Sequence, residues 1–273
     1  MSLPEKDLIV IPARYGSTRL PGKPLLKLAG RTLLERVVAN ARKAASQVQN
    51  CAVVVATDDE RIGAHAKEIG SDVVLTDPLL DSGTARTHAA ASQMDKAPER
   101  VICLQGDAPF IPYDTVAALV EVLREGGAEV ATPVYQLDWD RLDRLRVHKQ
   151  KAPFSGTTCL RDENGRALWF SKTILPALRN EHALRDAERF SPVWQHLGLY
   201  AYTMQSLDWF VRTPPGRYEV LEGLEQLRFM EHGKRIATIP VSPQKHGLSG
   251  IDTPADLELA EAAIKETGDP YPA

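Results

Sequence analysis

Leu8-Ile9-Val10-Ile11-Pro12-Ala13-Arg14-Tyr15-Gly16-Ser17-Thr18-Arg19-Leu20-Pro21-Gly22-Lys23 is an apolar run that opens into a cationic loop. Leu8 to Ile11 reads as a buried strand bounded by Pro12. Arg14, Arg19 and Lys23 then share one loop's length with the hydroxyls of Ser17 and Thr18 and with Gly16 and Gly22. Glycine lets backbone N–H groups approach a ligand closely, and Arg and Lys neutralise phosphate oxygens. A loop of this kind after a first strand suits a polyphosphate. It is neither the dinucleotide fingerprint with three spaced glycines nor the P-loop ending in Gly-Lys-Ser/Thr. The bland alternative, a solvated polar loop, stays open on this stretch alone.

Outward from this loop the pattern repeats. Leu33, Leu34, Val37, Val38 and Ala41 recur at helical spacing, and Ala52-Val53-Val54-Val55-Ala56 has the continuous apolar character of a parallel strand covered on both faces. Thr57-Asp58-Asp59-Glu60 caps a helix expected to run to about Ile69, with Gly70 as its stop. Strands are expected at Asp72 to Thr76, Val101 to Leu104 and Glu129 to Val134, with a helix from about Thr115 to Leu123. Alternating strands and helices with short connections argue for an α/β fold, a mostly parallel sheet with helices on both faces. Right-handed crossovers then place the strands' carboxyl ends on one edge, where the cationic loop, Thr57-Asp58-Asp59 and Gln105-Gly106-Asp107 meet.

The second half is less regular. Asp138 to Arg146 reads as helix or loop, Ser155 to Thr158 and Asp162 to Gly165 as turns, and Ala167 to Ser171 as a strand. Arg179 to Arg189 reads as a charged, mobile surface segment, and Gly198 to Tyr202 as a strand. Val220, Leu221, Leu224, Leu227 and Phe229 predict one helix ending near Gly233, and Asp252-Thr253-Pro254 starts the last helix.

The chain of 273 residues is long enough for a full core, and a net charge of −3 gives no general attraction to nucleic acid or an anionic membrane. Cys51, Cys103 and Cys159 are far apart and read as free thiols in a reducing compartment. No signal peptide and no bilayer-spanning run is expected, which points to a cytoplasmic protein.

Asp107 follows a buried strand and a glycine, where a charge needs a reason. Asp252, after Gly250-Ile251, is either a helix cap or a second carboxylate for the same site. Carboxylates near bound phosphate commonly hold Mg²⁺, so the pair suggests metal-assisted nucleotidyl transfer. Arg86, Lys172 and His196 are isolated, and Glu219, Glu222 and Glu225 fall on successive turns as a solvated helix face would.

The motifs together resemble the 3-deoxy-manno-octulosonate (Kdo) cytidylyltransferase family. The resemblance is carried by Ile11 to Leu25 and Ala56-Thr57-Asp58-Asp59, then by Ser82-Gly83-Thr84 with Arg86 and Gln105-Gly106-Asp107. It continues through Ala167-Leu168-Trp169-Phe170-Ser171, His196 to Tyr200, Leu224 to Arg228 and Gly250-Ile251-Asp252-Thr253-Pro254. It implies attack of the sugar's anomeric hydroxyl on the α-phosphorus of CTP, with Mg²⁺. By position, Ala13, Arg14, Ser17, Thr18, Arg19 and Lys23 would hold the triphosphate, with Arg14, Arg19 and Lys23 catalytic through charge. Ala56, Thr57, Ser82 and Gly83 would recognise cytosine and ribose. Asp107 and Asp252 would hold the metal, and Arg86, Gln105, Lys172, His196, Tyr200, Glu225 and Gln226 the acid sugar.

The resemblance also implies a nucleotide-binding α/β part over 1–135 and a smaller α+β sugar-binding and dimerisation part over 136–245. Residues 246–273 would bring a metal ligand and a helix back to the first part, and the protein would be a homodimer. Two departures stand out: Ala85 where the family has an acid, and Lys172 where it has Arg, which loses two-pronged carboxylate recognition. Lys151 to Thr158 also replaces a valine-rich strand. These departures are read as lying on the sugar side, so a relative of Kdo such as a nonulosonic acid is an alternative substrate. A nucleotide-binding regulator without turnover is the alternative of another class.

Overall fold

The structure is a computed structural model that describes residues 6–16, 20–243 and 250–272. In chain order, β1 (Asp7–Ala13) leads through a short hairpin, β2 (Lys27–Leu28) and β3 (Arg31–Thr32), into α1 (Leu33–Val48). Then follow β4 (Cys51–Thr57), α2 (Glu60–Glu68), β5 (Asp72–Leu75), α3 (Gly83–Ala91), β6 (Arg100–Cys103) and α4 (Tyr113–Arg124). The next run is β7 (Val130–Asp138), α5 (Trp139–Lys151), β8 (Thr158–Arg161), β9 (Ala167–Ser171) and α6 (Glu181–Ala187). The chain continues with β10 (Phe190–His196), β11 (Tyr200–Thr203), α7 (Met204–Arg212), α8 (Arg217–Glu222) and α9 (Gln226–Glu231). It closes with β12 (Ile236–Pro240) and α10 (Pro254–Thr267).

Among the described residues, ten strands form one sheet in the order β5-β4-β1-β6-β11-β7-β10-β8-β9, with β12 paired to β7. The β5-β4-β1-β6 block is parallel, as the alternation of elements predicts. Beyond β6 the pairs β11–β6, β11–β7, β10–β7, β10–β8 and β8–β9 are antiparallel. β1 is buried along its length and its alternate residues face two cores. Ile9 and Ile11 pack on Leu34, Val37, Ile62 and Leu119, whereas Leu8 and Val10 pack on Ala90, Val101 and Phe229. A strand covered on both faces needs this unbroken apolar run.

Pro12 does not end β1: it pairs in register with Ala56. The β6 partners stop at Val10, and beyond them Pro12 is asked only for its carbonyl, which accepts from the Gly106 N–H at 3.2 Å. A missing donor costs nothing there.

Several expectations are corrected. The helix expected across Val220 to Phe229 is two, α8 and α9, because Gly223 between them takes a left-handed φ of 63°. Arg179 to Arg189 lies at the surface as expected but is not without structure: it contains α6, which buries no residue and whose Glu181 pairs with Arg146 at 2.7 Å while Arg185 reaches Asp143 at 2.6 Å. The Glu219, Glu222 and Glu225 series is not a solvated face either. Glu219 is buried against Arg228, Glu222 binds Ser171 and Lys172, and Glu225 accepts from Thr84 Oγ1 at 2.6 Å. Helix α3 and strand β10 carry too little periodicity to be read from sequence, yet both shape the site.

Candidate active site

The site is assembled at the carboxyl ends of β1 and β6. Gly106 follows β6 so closely against β1 that a Cβ would stand 2.9 Å from the Pro12 carbonyl oxygen. This approach seats Asp107 beside the loop after Ala13. The C-terminal segment arrives by a similar backbone link: the Ile251 N–H donates to the Asp107 carbonyl at 2.9 Å. Ile251 is fully buried among Leu28, Leu33, Phe110, Ala260 and Ile264. Asp252 therefore stands next to Asp107.

Between them lies Lys23, whose ammonium donates to Asp107 Oδ2 at 2.5 Å and Asp252 Oδ1 at 2.9 Å. Burial alone would lower the Lys23 pKa, but Asp107 and Asp252 outweigh it and the net direction is upward. Asp252 is not the cap of α10: Thr253 takes that place, its hydroxyl accepting from the Asp256 N–H, and Asp256 completes the capping box. That leaves the Asp252 carboxylate for the site.

An open cleft of about 220 Å³ sits over this trio, lined among others by Ala13, Arg14, Ser82, Gly83, Arg86 and Gln105. Gly83 opens α3, and a Cβ there would stand 2.7 Å from the Gln105 side chain. Ser82 caps α3 by accepting from the Ala85 N–H. Ala85 is thus the third residue of that helix, where an acid would complete a capping box. The position that departs from the family pattern is therefore a capping position of this helix.

Arg86 is almost fully buried. Its guanidinium donates to Thr76 Oγ1 at 2.5 Å and lies 3.5 Å from Asp58. Its pKa is lowered first by burial and also by Arg14, against Asp58. Its partners thus come from β5 and the end of β4. Ala56 and Thr57 are buried at that same end of β4.

Lys172, His196, Tyr200, Glu225 and Gln226, expected around the sugar, do not line this cleft, and a run of contacts leads from Gln105 toward them. Gln105 Nε2 contacts Cys103 Sγ at 3.3 Å, and Cys103 pairs with Tyr200 across β6 and β11. The Tyr200 and His196 rings are 5.3 Å apart. Glu225 reaches the same region through Thr84, and Gln226 is buried beside it with its side-chain nitrogen unpartnered. Burial, with the Lys172 charge adding, pulls His196 down to about 3, so the ring is neutral at pH 7. Thr132 Oγ1 donates to the Leu199 carbonyl at 2.7 Å and so accepts from His196 Nε2 at 2.8 Å, which assigns the proton to Nε2. Burial pushes the Cys103 and Cys159 thiols up to about 12, which leaves neither a nucleophile at neutral pH. Ser17, Thr18 and Arg19 lie outside the described residues.

Two carboxylates that already share one ammonium can share one divalent cation. Among the described residues no group of three or more His, Cys, Asp or Glu converges on such a point. The oxygen-only, two-carboxylate donor set fits Mg²⁺, which keeps waters and takes its other ligands from phosphate.

A cytidylyltransferase family model matches residues 8–236. The chain is 41% identical over 258 residues to a 3-deoxy-manno-octulosonate cytidylyltransferase of Anaeromyxobacter sp. (strain Fw109-5), covering 94% of this chain and 96% of the relative. It is 37% identical to the enzyme of that name from Maricaulis maris (strain MCS10), covering 96% and 98%. The chain belongs to the 3-deoxy-manno-octulosonate cytidylyltransferase family. Its fold matches a solved CMP:2-keto-3-deoxy-manno-octonic acid synthetase complexed with CTP, with a TM-score of 0.80, 33% identity and coverage of 96% and 99%. A cytidylyltransferase from Leptospira borgpetersenii shares the fold at 19% identity and a TM-score of 0.59. As a Kdo cytidylyltransferase family member the protein is a nucleotidyltransferase. Among its described residues, no helix is long and apolar enough to cross a membrane.

Proposed function

We propose that the protein transfers the cytidylyl group of CTP to the anomeric hydroxyl of Kdo or a close relative, in lipopolysaccharide synthesis. The new bond joins the sugar oxygen to the α-phosphorus, and the bond to the β-phosphate breaks to release pyrophosphate. The observation that carries this reading is the meeting of Asp107 and Asp252 on Lys23 at the end of β1. Arg14, Lys23 and, by resemblance, Ser17, Thr18 and Arg19 neutralise the triphosphate and the charge that grows on the departing pyrophosphate. Asp107 and Asp252 hold Mg²⁺, which when bound offsets phosphate charge and lowers the pKa of a bound hydroxyl. Ser82 and Gly83 meet the nucleoside, with Ala56 and Thr57 behind them.

Gln105, His196, Tyr200, Glu225, Gln226 and Lys172 form the acceptor side. Arg86, tied to Thr76 and Asp58, lines the cleft together with Arg14 and Gln105 and is read with the acceptor side. CTP and an acid sugar are the substrates. The place of action is the cytoplasm, where Cys51, Cys103 and Cys159 stay reduced. The working form is a homodimer, which light scattering tests by a mass twice that of the chain.

The reaction is tested by incubating the purified protein with CTP, Mg²⁺ and a panel of acid sugars including Kdo and a sialic acid, following pyrophosphate. Turnover is expected with Kdo or one near relative, lost on chelation and lowered by roughly 10²–10³ in Asp107→Asn. Inactivity across the panel with CTP still bound would overturn the reading.

A further inference from the structure

Lys149, near the end of α5, belongs to none of the substrate contacts above. Its ammonium donates to the main-chain carbonyls of Lys172 at 2.5 Å, Ser155 at 2.6 Å and Gly156 at 2.8 Å, with the Pro153 carbonyl at 3.4 Å. An ammonium has three N–H groups, and here all three are spent on backbone oxygens. Burial first, and the Lys172 charge second, hold the Lys149 pKa below its ordinary value, so this arrangement is not free.

The other face of residue 172 is held as well. Glu222 at the end of α8 accepts from the Lys172 N–H at 2.7 Å and from Ser171 Oγ at 2.7 Å. The carbonyl of residue 172 is gripped from α5 and its N–H from α8. Fixing both peptide units fixes the direction in which the side chain leaves the end of β9. That side chain is half-buried and its charge acts on His196.

We propose that Lys149 and Glu222 are positioning residues, a two-sided clamp on the main chain at 172 that aims the Lys172 ammonium at the carboxylate of the acid sugar. The inference rests on the reading of the His196 side as the acceptor pocket. Its physical sense lies in the difference between the two cations. An Arg fork is planar and pre-organised, whereas an ammonium on a four-carbon stem reads a carboxylate as a point charge and needs its root held. The clamp also accounts for the replaced stretch from Lys151 to Thr158. Ser155 and Gly156 turn their carbonyls onto Lys149, and Gly156 does so at a left-handed φ of 70°.

The test is steady-state kinetics by pyrophosphate release, with Kdo and CTP varied in turn, on wild type, Lys149→Ala, Glu222→Gln and Lys172→Met. Each variant is expected to raise the sugar KM about tenfold while the CTP KM stays within roughly twofold. Methylammonium is expected to restore Lys149→Ala by filling the carbonyl cage, and to leave Glu222→Gln unchanged. If Lys172→Met raises the sugar KM while Lys149→Ala and Glu222→Gln keep the wild-type value, the clamp is wrong and the acceptor reading stands. A rise in both KM values alike also overturns the clamp. If Lys172→Met leaves the sugar KM unmoved, or the wild type turns over no acid sugar, the acceptor reading falls and takes the clamp with it. Should Lys149→Ala fail to fold, Glu222→Gln decides alone.

Discussion

Lys23 and His196 show how a single residue's neighbours set its chemistry. Lys23 sits between Asp107 and Asp252 and is drawn upward in pKa by them, so it remains a cation throughout the neutral range. Lys23→Met takes away that cation and leaves two carboxylates in reach of each other. Turnover is expected to fall by roughly 10²–10³ with a raised CTP KM, read by pyrophosphate release. His196 is the opposite case, a ring held neutral, at about 3, by burial. Its folded pKa is below the unfolded value, so the unfolded chain binds more protons and the neutral ring's stabilisation is complete above about pH 6.5. It is lost as pH falls from there toward 3, amounting to about 2 kcal/mol by pH 5. Thermal melts across this range are expected to fall more steeply for wild type than for His196→Gln. The sequence made Asp107 legible because a carboxylate after a buried strand has few innocent explanations. It hid Lys149, Glu222 and Asp58, whose partners are main-chain atoms or distant side chains that leave no local pattern.

At the scale of elements, legibility followed apolar periodicity. β1, β4, α1 and α2 carry it and lie where the spacing puts them. Helix α3 carries little: its run is Gly83-Thr84-Ala85-Arg86-Thr87-His88, small and polar residues buried by their neighbours rather than by a hydrophobic stripe. β10 is broken in register between Phe190 and Trp194, which erased its alternation. α8 and α9 read as one helix because apolar spacing runs across Gly223, and the glycine's left-handed conformation divides them. The same view gives Ala85 a capping reading. Ser82 already caps α3, and only the reciprocal acid is missing. Ala85→Glu is expected to raise stability by about 0.5–1 kcal/mol in denaturant unfolding and to leave the sugar KM where it is. A changed sugar KM would return this position to the acceptor side.

The whole molecule is organised by a return. The chain lays down the β5-β4-β1-β6 block, extends the sheet through antiparallel strands, and then brings Ile251 and α10 back onto the hairpin and helix that follow β1. Arg36 of α1, nearly fully buried, takes Asp269 beyond α10 in a paired contact at 2.7 and 2.9 Å, closing the return from the far end. The carboxylate pair and the fold therefore share one anchor, because the backbone link that seats Asp252 beside Asp107 runs through Ile251. Ile251→Ala empties a fully buried position among Leu28, Leu33, Phe110, Ala260 and Ile264 and is expected to cost about 2–4 kcal/mol in denaturant unfolding. If the return is what delivers Asp252, the folded fraction of this variant will also turn over more slowly and need more Mg²⁺ for half-maximal rate. A variant that loses stability yet keeps the wild-type Mg²⁺ requirement would show that Asp252 reaches the site without this anchor.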